Sequence, residues 1–415
     1  MNATLFKNVH VLDVRAGQLL EDHQVLVEGD AIRELSDRPI TATTARVIDG
    51  GGRTLMPGLI DCHVHVTFSQ TNLGLLAQTP QTTLALRALP ILRGMLRRGF
   101  TTVRDAGGAD WALKQAIDDG IDGTVTGPRL FVSGPALSPT GGHGDFRPRS
   151  DRLQPIGCGC QRLASTRVVD GVDAVRRAVR ELLQMGADQI KIMSSGGVAS
   201  PTDPVNALGY SLEETRAIVD EAAARHTYVL AHAYTPEAIR RAVECGVRSI
   251  EHGNLIDAPT AALMAERGAF AVPTLITYEA LARDGARLGL GAESVAKIEQ
   301  VRAAGLKSLE ILKTAGVRMA YGTDLLGASH GLQSEEFLIR AQVQSNLEVL
   351  QSATLIGAEL LNQVGVIGEI ASGARADLLL VDGNPLADLA CLTGQGERIP
   401  LVMQGGKLRV NELRA

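Results

Sequence analysis

Short uninterrupted apolar runs alternate, over residues 58–324, with stretches in which apolar positions return every three or four residues. The first pattern reads as strands buried on both faces, the second as amphipathic helices. Eight runs predict strands: LIDCHVHV from Leu59, TTVRDAG (101–107), PRLFVSG (128–134), QIKIMSS (189–195), YVLAHA (228–233), SIEHG (249–253), AFAVPTL (269–275) and VRMAYGTD (317–324). Helical patterns such as DAVRRAVRELLQMG, SLEETRAIVDEAAARH and TPEAIRRAVECG lie between them. The second is opened by Ser211 with Glu214 three residues on, the spacing of a capping box. Strand and helix in alternation imply βα units on a parallel sheet, and eight of them imply a closed (β/α)8 TIM barrel.

The ends of the chain have another texture. The first 57 residues carry β-type runs (ATLFKNVHVLD, HQVLVEGDAIREL, ARVIDGGGRTLMPG) punctuated by glycine, and β character returns in GARADLLLVDGNPLADL and IPLVMQGGKLRV. This predicts a small discontinuous β-sandwich domain, 1–57 with 365–415, attached to a barrel over 58–364. The longest irregular piece, about 135–168, follows the third strand, where loops on the carboxyl face of a barrel shape the pocket.

Composition narrows the function. Of 415 residues 45% are hydrophobic and 21% charged, enough apolar material for a large core, and the net charge of −5 comes without a basic run. Nucleic acid and anionic membrane are therefore excluded as expected partners, and a small molecule is left. No stretch is long and apolar enough for a membrane span, and the N-terminus alternates like a strand, so the chain reads as cytoplasmic as written, with a removed signal peptide left open. Five scattered cysteines (Cys62, Cys158, Cys160, Cys245, Cys391) read as free thiols rather than a disulfide framework. Cys158 and Cys160 in GCGC make only half of a zinc-site pattern.

Most of the remaining signal lies at strand ends. His63 and His65 stand two apart on a strand, so their side chains share one side and can grip one ion; the plain alternative is a histidine pair hydrogen-bonded at a strand end. His232 and His252 close consecutive strands and can offer neutral imidazoles to a second ion, or serve as satisfied core histidines. Lys191 is the odd member, because an ammonium is repelled by a cationic site. It is either deprotonated or converted to an anion; carboxylation by carbon dioxide gives a carbamate whose two oxygens can bridge two metals. A buried lysine paired with Asp105 or Asp324 is the alternative. Asp324 ends the last strand, where a carboxylate can touch a metal and carry a proton from an attacking water to a leaving group. A parallel barrel delivers all these ends to one rim, which predicts a metal hydrolase.

The motifs MPGLIDCHVH, GADQIKIMSSGG, AHA, SIEHG, YGTD and GARADLLLVDGNPL resemble the amidohydrolase superfamily over essentially the whole chain. The stretch from RVVDGVDAVRRAVRELLQMGADQIKIMSSGGVASP to AHAYTPEAIRRAVECGVRSIEHG is similar to the imidazolonepropionase-related branch, which contains Xaa-Pro dipeptidases, carboxypeptidases and ochratoxin amidohydrolases. The resemblance implies two divalent metal ions, zinc in the family. His63, His65 and Asp324 would hold the more buried ion, His232 and His252 the other, with carboxylated Lys191 bridging them. It also implies hydrolysis of an amide or peptide bond beside a free carboxylate, by a metal-bridging hydroxide. His143, in TGGHGD, resembles the histidine that polarises the carbonyl, with a plain loop histidine as the alternative. Tyr234, in AHAYT, resembles the tyrosine that binds the substrate α-carboxylate, or else merely packs. Arg104 is the candidate cation for that carboxylate unless it pairs with Asp105. Phe146 and Tyr278 are candidate pocket walls, and His330 reads as a surface histidine, with contact to substrate as the alternative. The branch implies a homo-oligomer, an octamer among the assemblies it contains. Cyclic amide or imidazolone hydrolysis and deamination are second readings, with no evident use for Lys191. A non-catalytic scaffold is a third, disfavoured because every ligand position is kept.

Overall fold

All eight apolar runs fold as strands in the computed structural model, which describes residues 3–120, 123–147, 165–200, 203–285, 290 and 292–413. The strands are Leu59–Val64, Phe100–Asp105, Arg129–Val132, Ile190–Met193, Val229–Ala233, Ser249–His252, Phe270–Val272 and Arg318–Met319. The first three pair in parallel with one another, and the fourth to eighth do the same. Backbone bonds close the ring: Asp188 N to Val132 O (2.7 Å) joins the third strand to the fourth, and Cys62 N to Tyr321 O (2.7 Å) joins the eighth to the first. The last two strands are shorter than their apolar runs. Pro273 follows the seventh and has no N–H to continue the ladder, and Leu275–Asp284 is already helix. Two further strands, Ala136–Ser138 and Thr166–Val168, extend the sheet beside the fourth strand. At three residues each they are too short to show a period, which is why this piece reads as irregular in sequence.

Alternation along the strands sorts the residues. Ile190 and Ile192 pack outward on Val175, Val179 and Leu182 of the helix Val172–Gln184, while Lys191 between them faces the other way. The helix Leu212–Ala223 starts at the predicted capping box: Glu214 N donates to Ser211 Oγ (3.2 Å) and Ser211 N to Glu214 Oε2 (2.9 Å). The barrel interior is charged. Arg104 on the second strand reaches Glu251 on the sixth, with both side chains wholly buried.

The termini meet in one seven-stranded sheet. Ala3–Asp13, Gln18–Glu28, Ala31–Ser36 and Arg46–Pro57 come from the start of the chain; Leu378–Val381, Leu401–Gln404 and Lys407–Asn411 come from its end. The halves join where Thr54–Pro57 pairs antiparallel with Leu378–Val381. Leu378 and Leu380 then face Phe6 and Val9, whereas Leu379 and Val381 share a cluster with Phe100 and Val103 of the barrel. Gly58 hands the chain from this sheet to the barrel, and a Cβ there would stand 2.1 Å from Thr101 Oγ1. Cys62, Cys245 and Cys391 are buried free thiols; Cys158 and Cys160 lie outside the described residues. Among the described residues, no helix is long and apolar enough to cross a membrane.

Candidate active site

The barrel rim gathers His63, His65, Lys191, His232, His252 and Asp324 around one pocket, together with His143 and Tyr234. Ligand atoms of His63, His65 and Asp324 all lie within 4.8 Å of one another. Asp324 Oδ1 is 3.2 Å from His65 Nε2 and 3.5 Å from His63 Nε2, and its Oδ2 is 4.0 Å from His252 Nδ1. The His232 and His252 rings are 4.7 Å apart, and His252 is 5.0 Å from His63. His252 (φ 75°) and Asp324 (φ 52°) both adopt the left-handed backbone conformation that costs a non-glycine residue about 1–3 kcal/mol. His63 O helps hold the bend at Asp324 by accepting both Thr323 N (3.1 Å) and Asp324 N (2.8 Å).

Each imidazole has one nitrogen committed to the protein. His63 Nδ1 meets Glu251 Oε2 at 2.6 Å, His65 Nδ1 meets Gly107 O at 2.8 Å, and His252 Nδ1 meets Thr274 Oγ1 at 2.8 Å. His232 instead commits Nε2, to Gly196 O at 3.1 Å. The other nitrogen is left for a ligand, and His63 Nε2 is buried and, among the described residues, without a hydrogen-bond partner, an arrangement that is costly unless something else fills the valence. Burial, reinforced by His143 and His252, pushes His232 well below the ordinary histidine range, and burial does the same to His252. Both therefore stand as the neutral bases a metal needs. Burial opposes the Asp324 charge, but His63 and His65 outweigh it and keep the carboxyl ionised. Two imidazoles, one of them with an orphaned buried nitrogen, and a carboxylate fit a divalent metal ion.

Burial also lowers Lys191 to about 8. Among the described residues it forms no ion pair with Asp105 or Asp324. Asp105 instead accepts Val66 N (2.8 Å), Gly107 N (3.0 Å) and Ala109 N (3.1 Å), bracing the loops that carry His65 and its Gly107 partner.

Arg104 is not placed to bind a substrate carboxylate. It is 0% exposed, and Nη2 donates to both Glu251 oxygens at 2.9 Å; neither the pocket nor Asp105 is its partner. The physical reason is Glu251: a carboxylate inside the barrel demands a counter-ion, and Arg104 supplies it. Burial would raise the Glu251 pKa, but Arg104 and His63 hold it well below the usual range. Glu251 is one residue that sequence reasoning missed. Its signal was present, since a glutamate inside an apolar run must have a buried partner.

His143 stacks on His232 (4.3 Å, 22°), and its Nδ1 lies 2.7 Å from Ser200 Oγ. The Tyr234 and Tyr278 hydroxyls meet at 3.0 Å, and Tyr278 and Phe146 line the pocket. His330 is buried rather than on the surface; its Nε2 bonds Phe68 O at 3.1 Å, and Phe68 stacks on His65 at 4.3 Å. The arrangement can hold a metal, place one imidazole and two phenols beside it, and take up a proton at Asp324.

The chain is similar to known proteins over its whole length. The amidohydrolase family model matches residues 54–408. A solved amidohydrolase is 60% identical with a TM-score of 0.97 over 100% of both chains. A prolidase solved with N-methylphosphonate-L-proline is 57% identical with a TM-score of 0.96, covering 98% of this chain and 99% of its own. Ochratoxinase of Aspergillus niger is 34% identical over 366 residues, 85% of this chain and 75% of the relative. The chain belongs to the amidohydrolase family, in the branch of the prolidases and ochratoxinase, and is a metal-dependent hydrolase of C–N bonds.

Proposed function

We propose that this protein hydrolyses the amide bond next to a free C-terminal carboxylate, in a dipeptide of the Xaa-Pro kind or an N-acyl amino acid, ochratoxin-type aryl amides included. The observation that carries the reading is the placement of His143 and the Tyr234–Tyr278 pair in the same pocket as the six potential ligands. His63, His65 and Asp324 would hold one ion, His232 and His252 a second, and Lys191 would bridge them as a carbamate. Lowered to about 8, Lys191 holds far more of the neutral amine that reacts with carbon dioxide than an ordinary lysine does. Two bound divalent ions, zinc by family, would supply a Lewis acid and a water acidic enough to attack near neutral pH.

The side chains do the rest. His143 hydrogen-bonds the carbonyl oxygen as negative charge builds there. Asp324 takes the proton of the attacking water and passes it to the leaving nitrogen, which departs as a free amine. Tyr234, steadied by Tyr278, hydrogen-bonds the substrate carboxylate and so sets the scissile bond over the site. Protein prepared with zinc and bicarbonate is expected to cleave matched dipeptides and N-acyl amino acids as free acids and to spare their C-terminal amides. Equal cleavage of both forms removes the role of Tyr234, and wild-type turnover in Asp324→Asn overturns the proton path.

A further inference from the structure

The back of His143 is built by residues that follow the fourth barrel strand, and the reaction as described uses none of them. A Cβ on Gly197 would fall 2.0 Å from His143 Nδ1 and Cε1, so the imidazole fills space that only glycine leaves. Ser200, 0% exposed, places Oγ 2.7 Å from Nδ1. Asp203, 3% exposed, brings Oδ2 to 3.7 Å from the same nitrogen and accepts Gly197 N at 2.8 Å. From the helix Ala292–Thr314, Lys297 clamps the segment by donating Nζ to Ser200 O (3.3 Å) and Asp203 O (2.7 Å). The front of the ring lies on His232.

A buried carboxylate is expensive, and capping Gly197 N does not require it, because asparagine would accept that bond equally well. What asparagine lacks is the charge beside Nδ1. Resting on the reading that His143 attends the substrate carbonyl, we propose that Asp203, with Ser200, is a positioning residue: the two hold the His143 ring against His232 with Nδ1 as the donor, so that Nε2 faces the reacting amide.

Asp203→Asn decides the matter in metal-loaded protein, with Ser200→Ala and Ser200→Thr beside it. Expected for Asp203→Asn is a kcat lower by about tenfold or more, with KM within about twofold and metal content unchanged. Ser200→Thr keeps a hydroxyl and is expected to retain most of the activity that Ser200→Ala loses. A second readout needs no substrate: in histidine-labelled protein, the His143 Nδ1 resonance, identified by its loss in His143→Gln, is expected to move in Asp203→Asn. An unmoved resonance with kcat within about twofold of wild type overturns the proposal. If wild type cleaves none of the free acids, the reading of the reaction fails, while the resonance still decides on Asp203. If Asp203→Asn does not fold, the alanine and threonine variants of Ser200 decide by the same two readouts.

Discussion

His63 has two ring nitrogens, and only one can face an ion, so the other has to be held. Glu251 holds Nδ1 at 2.6 Å and is itself fixed by both hydrogen bonds from Arg104, all three side chains lying out of water. Outer partners of this kind typically change metal affinity by about 10–100-fold. Glu251→Gln is therefore expected to release metal to a competing chelator at a concentration about 10–100-fold lower than wild type. The variant also strands Arg104, a loss of about 3–5 kcal/mol when one member of a buried pair is removed. Adding Arg104→Met is expected to restore much of the thermal stability while metal retention stays weak. Recovery of both in the double variant would show that the pair matters for packing alone. Residues with their own chemistry were legible in the sequence: histidines, a lysine and an aspartate each stood at the end of an apolar run. Glu251 showed only as a glutamate inside an apolar run, and Asp203 not at all, because their roles come from contacts across the barrel or between loops. Arg104 was misjudged for the same reason: its chemistry was evident, but the partner 147 residues away was not.

At the level of elements, the rim depends on how the loops after the first and eighth strands are tied together. His330, on the 3-10 segment Gly327–Glu335, bonds Phe68 O, and Phe68 lies flat on His65. Burial lowers His330 from 6.5 to about 4. Between those values the unfolded chain binds a proton that the folded one refuses. This contribution is therefore fully present above pH 6.5 and is lost as pH falls toward 4. Its full size is about 3 kcal/mol. His330→Gln keeps a donor for Phe68 O and removes the titration, so its stability relative to wild type is expected to rise as pH drops through this window in urea unfolding. A constant difference at every pH would mean that His330 does not titrate there. The strands themselves were legible from their apolar runs, but their ends were not. The seventh stops at Pro273, and the bend that aims Asp324 is a left-handed residue braced by His63 O, which no pattern of hydrophobicity records.

On the scale of the molecule, the question is whether the barrel can stand without the terminal sheet. The sequence divides the chain at 57 and 365 by texture alone, and that division hides a shared core. Leu379, Val381, Ile399 and Val402, all 0% exposed, belong to the cluster that contains Leu59, Phe100 and Val103 of the barrel. Burying four such side chains is worth about 6–12 kcal/mol, comparable to the whole stability of an ordinary domain. Polar ties run the same way: Gln404 Nε2 donates to Thr101 O (2.9 Å) and Gly127 O (3.1 Å), and Arg129 Nη1 meets Asp377 Oδ2 at 2.6 Å. Removing the sheet would expose the amino-terminal ends of the first three strands and leave Arg129 without its carboxylate. A fragment of residues 58–364 is therefore expected to be insoluble or to lack cooperative unfolding, although it carries every proposed ligand. The full chain is expected to lose sheet and barrel signals in one calorimetric transition. A soluble fragment that binds metal and melts cooperatively, or two separated transitions in the full chain, would show that the barrel is independent and that the shared cluster contributes far less than its burial indicates.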